Sequence, residues 1–283
     1  NMLNWLFSST SVNGADIYVD LGTANTLIAI KKSGIVLNEP SQVMVTEIDL
    51  KKRKILGIGS EGIEIFKKNP GHILAIKPIR DGVIADFDAT RSMLQYFLKK
   101  VLKNNSLTRP AVVVSLPYGV TEVEKKAVVE ACRSAGASKT YLIDEPMAAA
   151  IGAGLPVKEA LGQMIIDIGG GTTEIAVIAL ADIVYCEPLK IAGHKFDESI
   201  IRYMKDYKNL VITEQTAEKL KIELGTALPK KDIISLTIEG RDLDSGFLRE
   251  QTVTSEEIGA SLAGPIQQIV HGVLNALEKT PPE

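Results

Sequence analysis

Two stretches of this sequence are versions of one another, and they limit what the chain can fold into. The first, DLGTANT, runs from Asp20 to Thr26, and the second, DIGGGTTE, runs from Asp167 to Glu174. Each lies between two short apolar runs, which predicts a strand, a glycine-rich turn and a second strand. Glycine lets a backbone turn tightly beside an anion, and N–H and hydroxyl groups in such a turn bind phosphate. The repeat therefore predicts two hairpins that together grip a nucleoside triphosphate.

An aspartate stands at the end of the first predicted strand of each hairpin, Asp20 in one and Asp167 in the other. A carboxylate beside a phosphate is repelled by it unless a divalent cation lies between them. The two positions therefore favour a nucleotide that is bound together with Mg²⁺.

Composition narrows the class of protein further. The 283 residues, 45% hydrophobic and 24% charged, suffice for two domains with separate cores. A net charge of −3 with mixed signs gives no broad attraction for nucleic acid. Cys132 and Cys186 lack metal-site spacing and suit a reduced, cytoplasmic protein. No apolar run reaches the ~20 residues of a membrane-spanning helix.

The N-terminal segment Met2 to Phe7 is a candidate for contact with a membrane surface. Leu3, Leu6 and Phe7 share one side of a possible short helix, which could lie on a membrane surface. Attachment by one such segment would be weak, whereas an assembly of copies would bind with avidity. A frayed terminus is the alternative, and no secretory signal is expected because a basic start and a cleavage site are lacking.

Three local patterns predict structure between and after the hairpins. Gly57 to Gly62 matches the dinucleotide fingerprint GxGxxG, but we interpret it as a turn because no long helix is expected after it. A hairpin is predicted over residues 233–253, turned by Gly240 to Asp242, and a helix over residues 255–277 with His271 as a packing residue. Three other helices are predicted over residues 88–103, 196–207 and 216–224. A fourth is predicted to begin at a capping box formed by Thr121 and Glu124 and to end at Gly136.

Glu145 stands where a predicted strand meets a helix that starts near Pro146. A carboxylate at such a junction could orient or deprotonate a water that attacks a γ-phosphate. The alternative, which the spacing alone favours, is an acid that stabilises a helix N-terminus by ~0.3–1 kcal/mol. The residues alone leave both interpretations open.

The chain also resembles a known superfamily. DLGTANT, DGVIADF at 81–87, DEPMAAAIGAGLP at 144–156 and DIGGGTTEIAVI at 167–178 resemble the actin/Hsp70/sugar-kinase superfamily, and within it the MreB family of bacterial actin homologues. The resemblance extends to IVLNEPS at 35–41, SLPYGVTEVEKKAV at 115–128, ITEQTAEKLKIELGTA at 212–227 and VTSEEI at 253–258. It thus spans essentially the whole length.

The resemblance implies an actin-like α/β fold of two duplicated RNase H-like domains, each with a small inserted subdomain, and ATP between them. Residues 1–37 and 71–150 would form the first large domain and residues 38–70 its insertion. Residues 151–188 and 251–283 would form the second large domain and residues 189–250 its insertion.

The resemblance also implies a role for particular residues. Asp20 and Asp167 would hold Mg²⁺ through water, and Glu145 would position the hydrolytic water with help from Thr172. The phosphates would be bound by Gly22, Thr23, Ala24, Asn25, Gly169, Gly170, Gly171 and Thr172. The adenosine side would be bordered by Gly193, Glu218 and Lys221.

Two departures from the family pattern stand out. His194 occupies a position where the family usually has an acidic residue; it either alters the site near the ribose or is a surface turn histidine. The family also continues beyond the position of Glu283 with a glycine-rich adenosine loop and a final helical stretch. We therefore expect the sequence to be part of a longer chain.

The function that the resemblance implies is that of an ATP-binding, slowly hydrolysing cytoskeletal protein. It would polymerise head to tail into paired filaments at the inner face of the cell membrane and, with membrane-bound partners, organise cell-wall synthesis and rod shape. The alternative is a sugar-type kinase with Glu145 or Asp144 as base, for which the sequence shows no cluster of sugar-binding polar residues. A chaperone of the Hsp70 type would need a substrate-binding domain for which no residues remain.

Overall fold

The computed structural model describes residues 15–46, 53–69, 71, 73–102, 109–229 and 231–280. The segment Met2 to Phe7, for which membrane contact is predicted, lies outside these residues. The chain divides into two compact units. The first takes the described residues up to Gly170 together with Glu174–Pro188, and the second takes Gly171–Thr173 and the described residues from Leu189 onward.

The strands from Ala15 to Leu189 form one five-stranded sheet, two three-stranded sheets and one two-stranded sheet. The elements of the first unit are, in chain order, β1 (Ala15–Leu21), β2 (Asn25–Ile30), β3 (Gly34–Pro40), β4 (Val43–Thr46), β5 (Ile55–Ile58), α1 (Gly59–Lys68), β6 (Ile73–Ile76), β7 (Ile79–Arg80), β8 (Val83–Ile84), α2 (Phe87–Val101), β9 (Ala111–Leu116), α3 (Glu122–Ser134), β10 (Lys139–Asp144), α4 (Glu145–Gly152), β11 (Gln163–Ile168), β12 (Thr173–Ala179) and β13 (Asp182–Leu189).

The main sheet has the strand order β10-β9-β1-β2-β3. β1, β2 and β3 form an antiparallel meander, while β9 lies parallel to β1 and β10 lies parallel to β9. The second hairpin starts a three-stranded sheet of order β11-β12-β13. Both glycine-rich stretches therefore connect two strands, which confirms the prediction of strand, turn and strand.

Helices α2 and α3 contribute to the core of the main sheet. The predicted apolar stripe of α2 is confirmed, because Leu94, Phe97 and Leu98 are completely buried and pack in the same cluster as Val114. The predicted capping box at the start of α3 is also confirmed: Thr121 Oγ1 accepts from the N–H of Glu124, and the Glu124 carboxylate accepts from the N–H of Thr121.

The interpretation of Gly57 to Gly62 as a turn is wrong. Ile58 ends β5 and Gly59 begins the ten-residue helix α1. The glycines permit close packing instead, since a β-carbon on Gly57 would lie 2.7 Å from the Cα of Gly62. The N-terminus of α1 is occupied by the protein's own carboxylate, because Glu39 Oε2 accepts from the Ser60 N–H at 2.8 Å.

The second unit consists of α5 (Gly193–Lys208), β14 (Leu210–Val211), α6 (Glu214–Leu224), β15 (Ser235–Asp242), β16 (Leu248–Thr254) and α7 (Ser255–Lys279). The strands form one sheet of order β14-β15-β16. Its core includes Ile200 and Met204 of α5, Leu220 of α6 and Ile258 of α7.

Two predictions in this unit are wrong. Gly240 to Asp242 do not form the hairpin turn but end β15, and the chain turns over residues 243–247. Gly240 is needed beside the neighbouring strand, because a β-carbon there would lie 2.6 Å from Leu210 Cγ. His271 is not a packing residue: it lies on the exposed side of α7.

Candidate functional site

The carboxyl ends of three parallel strands meet at one edge of the main sheet. Asp20 near the end of β1 is paired with Ser115 of β9, and Asp144 at the end of β10 is paired with Leu116. Glu145 follows as the first residue of α4. Because such an edge collects the loops of parallel strands, it is a common place for ligands. The topology thus brings Asp20 and Glu145, which are distant in sequence, to the same edge.

The turn of the first hairpin is held by Ser41, a completely buried residue that follows β3. The Ser41 hydroxyl donates to the carbonyl of Gly22 at 2.7 Å and shares a 2.9 Å hydrogen bond with the hydroxyl of Thr26. Its N–H donates to the carbonyl of Ala24 at 2.9 Å. Five polar groups, three in the turn and two in Ser41, are therefore satisfied, which fixes the conformation of the predicted phosphate-binding segment.

The two hairpins touch. A β-carbon added to Gly170 would lie 2.6 Å from the Cβ of Ala24, a distance that only a glycine avoids. In the first hairpin, a β-carbon on Gly22 would lie 2.6 Å from the carbonyl oxygen of Asn25. The structure therefore brings together Gly22, Ala24 and Asn25 of one stretch and Gly170 of the other.

Asp20 and Asp167 carry their carboxyl groups into this region. The Ser115 hydroxyl donates to Asp20 Oδ1 at 3.1 Å. Burial raises the pKa of Asp20, and the Ser115 hydrogen bond opposes it. Burial also raises the pKa of Asp167, and the charge of Asp20 raises it further. Each carboxylate is thus destabilised by partial loss of water, and Asp167 by its neighbour as well.

These two carboxylates fit a bound Mg²⁺ that keeps part of its water. The repulsion of Asp167 by Asp20 is what a divalent cation would relieve. Within the described ranges no three His, Cys, Asp or Glu side chains are grouped closely enough to hold a metal by themselves. Mg²⁺ is commonly held by one or two carboxylates together with substrate phosphates and water, so the pair suffices.

Glu145 is half-buried and differs from an ordinary acid at a helix N-terminus. Burial raises its pKa to about 9, with further contributions from the charges of Glu174, Asp20 and Asp167. Its Oε1 atom is buried without a hydrogen-bond partner. An exposed helix-capping acid stays ionised and is solvated. Glu145 instead holds a proton near neutral pH in the ligand-free protein, so its environment has to change before it can act as a base.

Glu174 was not among the predicted site residues. It lies on β12 with 2% of its surface exposed, and its Oε1 accepts from the N–H of Tyr118 at 2.8 Å. Burial raises its pKa to about 7; the Tyr118 hydrogen bond lowers it, and Asp167 and Asp144 raise it. A signal was present in the sequence, because Glu174 interrupts an otherwise apolar, buried strand.

Five of the other predicted site residues belong to the second unit. Gly171 and Thr172 are assigned there, as are Gly193, Glu218 and Lys221. Lys221 Nζ donates to the carbonyl of Gly193 at 3.3 Å and lies 2.8 Å from Asp197 Oδ1. Glu218, one turn before Lys221 on α6, is exposed. Lys221 is thus joined directly to Gly193, and it also pairs with Asp197, a buried aspartate that the sequence did not single out.

Thr23 and Gly169 lie in the turns of the first and second hairpin, and both belong to the first unit. His194 is the second residue of α5 and is half-buried. The interpretation of His194 as a surface turn histidine is therefore wrong, because the residue is helical and its side chain is not fully exposed.

The architecture defines the class of protein as actin-like. The chain superimposes on a chain of the MamK double helical filament with a TM-score of 0.74 at 19% identity, over 94% of this chain and 81% of that one. It superimposes on MreB5 of Spiroplasma citri bound to AMPPNP with a TM-score of 0.84 at 34% identity, over 94% and 79%. The superposition on the ADP-bound form of MreB5 has a TM-score of 0.85 at 35% identity, over 94% of this chain and 79% of that one.

The chain belongs to the MreB/Mbl protein family, whose model matches residues 14–283. It is 48% identical to the cell shape-determining protein MreB of Escherichia coli (strain K12) over 271 residues, 95% of this chain and 78% of that protein. It is 44% identical to the cell shape-determining protein Mbl of Bacillus subtilis (strain 168) over 268 residues, which are 95% of this chain and 80% of that protein. None of the helices in the described residues has the length and apolar character needed to cross a membrane.

Proposed function

We propose that this chain binds ATP with Mg²⁺ at its two hairpins and hydrolyses the ATP slowly. The observation that carries the proposal is the contact of Gly170 with Ala24 beside the carboxyl groups of Asp20, Asp167 and Glu145. Solved structures of the relative MreB5 contain AMPPNP or ADP. The same kind of ligand suits the donors and carboxylates that meet here.

The roles of the residues follow from their placement. The turn from Gly22 to Asn25 and the glycines of the second hairpin would present N–H groups to the phosphates, and Asp20 and Asp167 would bind the water shell of Mg²⁺. Mg²⁺, when bound, neutralises charge on the phosphates. Glu145 would then orient the attacking water and accept its proton. Thr172, Gly193, Glu218 and Lys221 keep the roles that the family resemblance gives them.

The raised pKa of Glu145 would keep this residue from acting as a base when no ligand is bound. Burial and the charge of Glu174 raise its pKa most, and the charges of Asp20 and Asp167 raise it further. A cation held by these two residues removes that repulsion and lowers the pKa of Glu145. Activity would therefore depend on binding of nucleotide and Mg²⁺ together.

At the level of the cell, we propose a cytoskeletal role in cell shape. The Escherichia coli and Bacillus subtilis relatives are named as cell shape-determining proteins, and MamK, which shares the fold, is known as a double helical filament. Head-to-tail contacts that repeat by translation do not close and so produce a polymer. The filaments would be paired and would lie at the inner face of the cell membrane, attached by Met2 to Phe7 and by membrane-bound partners of cell-wall synthesis.

Sedimentation tests the filament proposal. Pelleting should require ATP and Mg²⁺, should be weaker with ADP, and should increase with anionic lipid vesicles; electron microscopy of the pellet should show paired filaments. A chain that lacks Met2 to Phe7 should pellet with ATP but lose the response to vesicles. Failure to pellet with ATP under every salt and lipid condition, together with ATP consumption that a sugar stimulates, would favour the kinase alternative.

A further inference from the structure

The structure contains an unusual pair of buried oxygen atoms. Among the described residues, three buried side-chain oxygens lack a hydrogen-bond partner: Glu145 Oε1, Glu174 Oε2 and Asp197 Oδ1. The last of these lies 2.8 Å from the Lys221 ammonium and is compensated by its charge. Only the two glutamate oxygens remain uncompensated in this part of the chain, and both belong to the region of the two hairpins. Buried acceptors in this state destabilise the folded protein, which calls for a functional reason.

The backbone holds Glu174 in place. The Tyr118 N–H that binds Glu174 Oε1 lies in the loop directly after β9. β9 is the neighbour of β10, whose last residue Asp144 precedes Glu145. The side chain of Glu174 therefore reaches from the second hairpin to the sheet edge that carries Glu145, with one oxygen engaged and the other available.

Several charged groups surround this pair. Asp20, Asp167 and Glu174 raise the pKa of Glu145, and Asp167 and Asp144 raise the pKa of Glu174. Burial raises the pKa of Asp144, and the charge of Lys125 opposes this effect. Burial also raises the pKa of the nearby Cys186 thiol. Of the charged neighbours, Glu174 has the largest effect on Glu145.

We propose that Glu174 is a positioning residue that acts through Glu145. It holds the Glu145 carboxyl group toward the attacking water and accepts a hydrogen bond from it after proton transfer. The inference rests on the proposed ATP hydrolysis and adds to it a residue for which the family resemblance gave no role.

The step conserves atoms and charge. The water oxygen forms a bond to the γ-phosphorus, and the bond from that phosphorus to the bridging oxygen breaks, with its electron pair staying on the β-phosphate of ADP. The water proton passes to the Glu145 carboxylate, whose O–H donates to Glu174 Oε2. The proton then returns to solvent when phosphate leaves, which restores the pair.

The substitution Glu174→Gln separates positioning from packing. Glutamine has the same shape, and its amide oxygen can still accept from the Tyr118 N–H, but it has no charge and cannot act as the second carboxyl group. The control is Glu187→Gln on the next strand, β13, where the carboxylate accepts from the Tyr185 hydroxyl at 2.8 Å. Both variants remove one carboxylate of the same sheet.

ATP affinity and steady-state hydrolysis are measured for both variants with saturating Mg²⁺. Glu174→Gln should bind ATP within twofold of the original chain while kcat falls at least tenfold, and Glu187→Gln should change neither. A kcat within twofold for Glu174→Gln, or failure of that variant to fold, would make Glu174 a structural residue and overturn the inference. Absence of hydrolysis in the original chain, or an unchanged rate in Glu145→Gln, would instead refute the proposed function itself.

Discussion

Gly170 of the second hairpin lies so close to Ala24 of the first that a β-carbon on Gly170 would be 2.6 Å from the Cβ of Ala24. Real β-carbons essentially never approach other atoms this closely, so one of the two turns would have to move. The contact joins the two copies of the repeated motif, and it places the carboxyl groups of Asp20 and Asp167 near one another. The two copies of the motif, which are far apart in the sequence, thus lie together in one candidate site.

Gly170→Ala should therefore damage both stability and nucleotide binding. Overpacking of this kind costs ~1–3 kcal/mol, and displacement of a turn should weaken ATP binding at least tenfold. The control is Gly264→Ala in α7, where a β-carbon meets nothing within 4 Å and should stabilise the helix by ~0.5–1 kcal/mol. Urea unfolding and titration calorimetry measure both effects. Equal ATP affinity in the two variants would show that the hairpin contact is not needed for binding.

Ser41→Ala should loosen the first hairpin. The substitution leaves the carbonyl of Gly22 and the hydroxyl of Thr26 without their buried partner, which costs ~1–3 kcal/mol. Thr252→Ala, which removes an exposed 3.0 Å hydrogen bond to Thr237, should cost less than about 0.5 kcal/mol. Unfolding free energies of the two variants test the difference. Similar losses for both would show that Ser41 does not hold the turn.

The pH dependence of stability should reveal the buried Glu145. Because its pKa is raised to about 9 from 4.5, the folded protein keeps a proton that the unfolded chain loses. Its contribution to stability is therefore present at low pH and is lost as the pH rises from about 4.5 to about 9, with a slope of at most ~1.4 kcal/mol per pH unit.

Glu145→Gln removes this titration, so its stability should fall less steeply with pH than that of the original chain. Urea unfolding at pH 5, 7 and 9 without nucleotide or Mg²⁺ gives the comparison. The free energy of unfolding of the variant, relative to that of the original chain, should increase as the pH rises. Parallel stability curves would mean that Glu145 is ionised in the ligand-free protein, contrary to the electrostatics described above.

Lys221 should stabilise the second unit through Asp197. Their side chains are 21% and 11% exposed, and removal of the cation by Lys221→Met leaves a buried carboxylate unpaired, with a loss of ~2–3 kcal/mol. Lys195→Met breaks an ion pair with Glu198 on the same helix as Asp197, but those side chains are 52% and 56% exposed, so the loss should stay below ~0.5 kcal/mol. Equal unfolding free energies for the two variants would contradict the assigned importance of the Asp197–Lys221 pair.

Much of this architecture could be predicted from local patterns. The hairpins, the apolar stripe of α2 and the capping box of α3 all depend on neighbouring residues, and the structure confirms them. Two of the failures involve glycines. Gly57 and Gly240 were interpreted as turn residues, yet each is required because another part of the chain approaches the backbone. Sequence alone does not distinguish a glycine needed for a turn from one needed for close contact.

The candidate site was less accessible to sequence reasoning. The motifs suggested Asp20, Asp167 and Glu145, but only the pairing of β1, β9 and β10 brings residues 20 and 145 to one edge. Glu174 and Ser41 were missed because their importance depends on burial and on partners distant in sequence, Tyr118 and Gly22. The charge of Glu174 within a buried strand was the one local sign of a function.

Single-turnover release of γ-phosphate from bound ATP tests the central claim most directly. The original chain and Glu145→Gln are each mixed with Mg²⁺ and a substoichiometric amount of ATP, after calorimetry has shown that both bind it. We expect slow phosphate release from the original chain and release at least tenfold slower from Glu145→Gln, with ATP affinity within twofold. Equal release rates for the two proteins would contradict the account, because the buried carboxyl group beside the two hairpins would then have no part in hydrolysis.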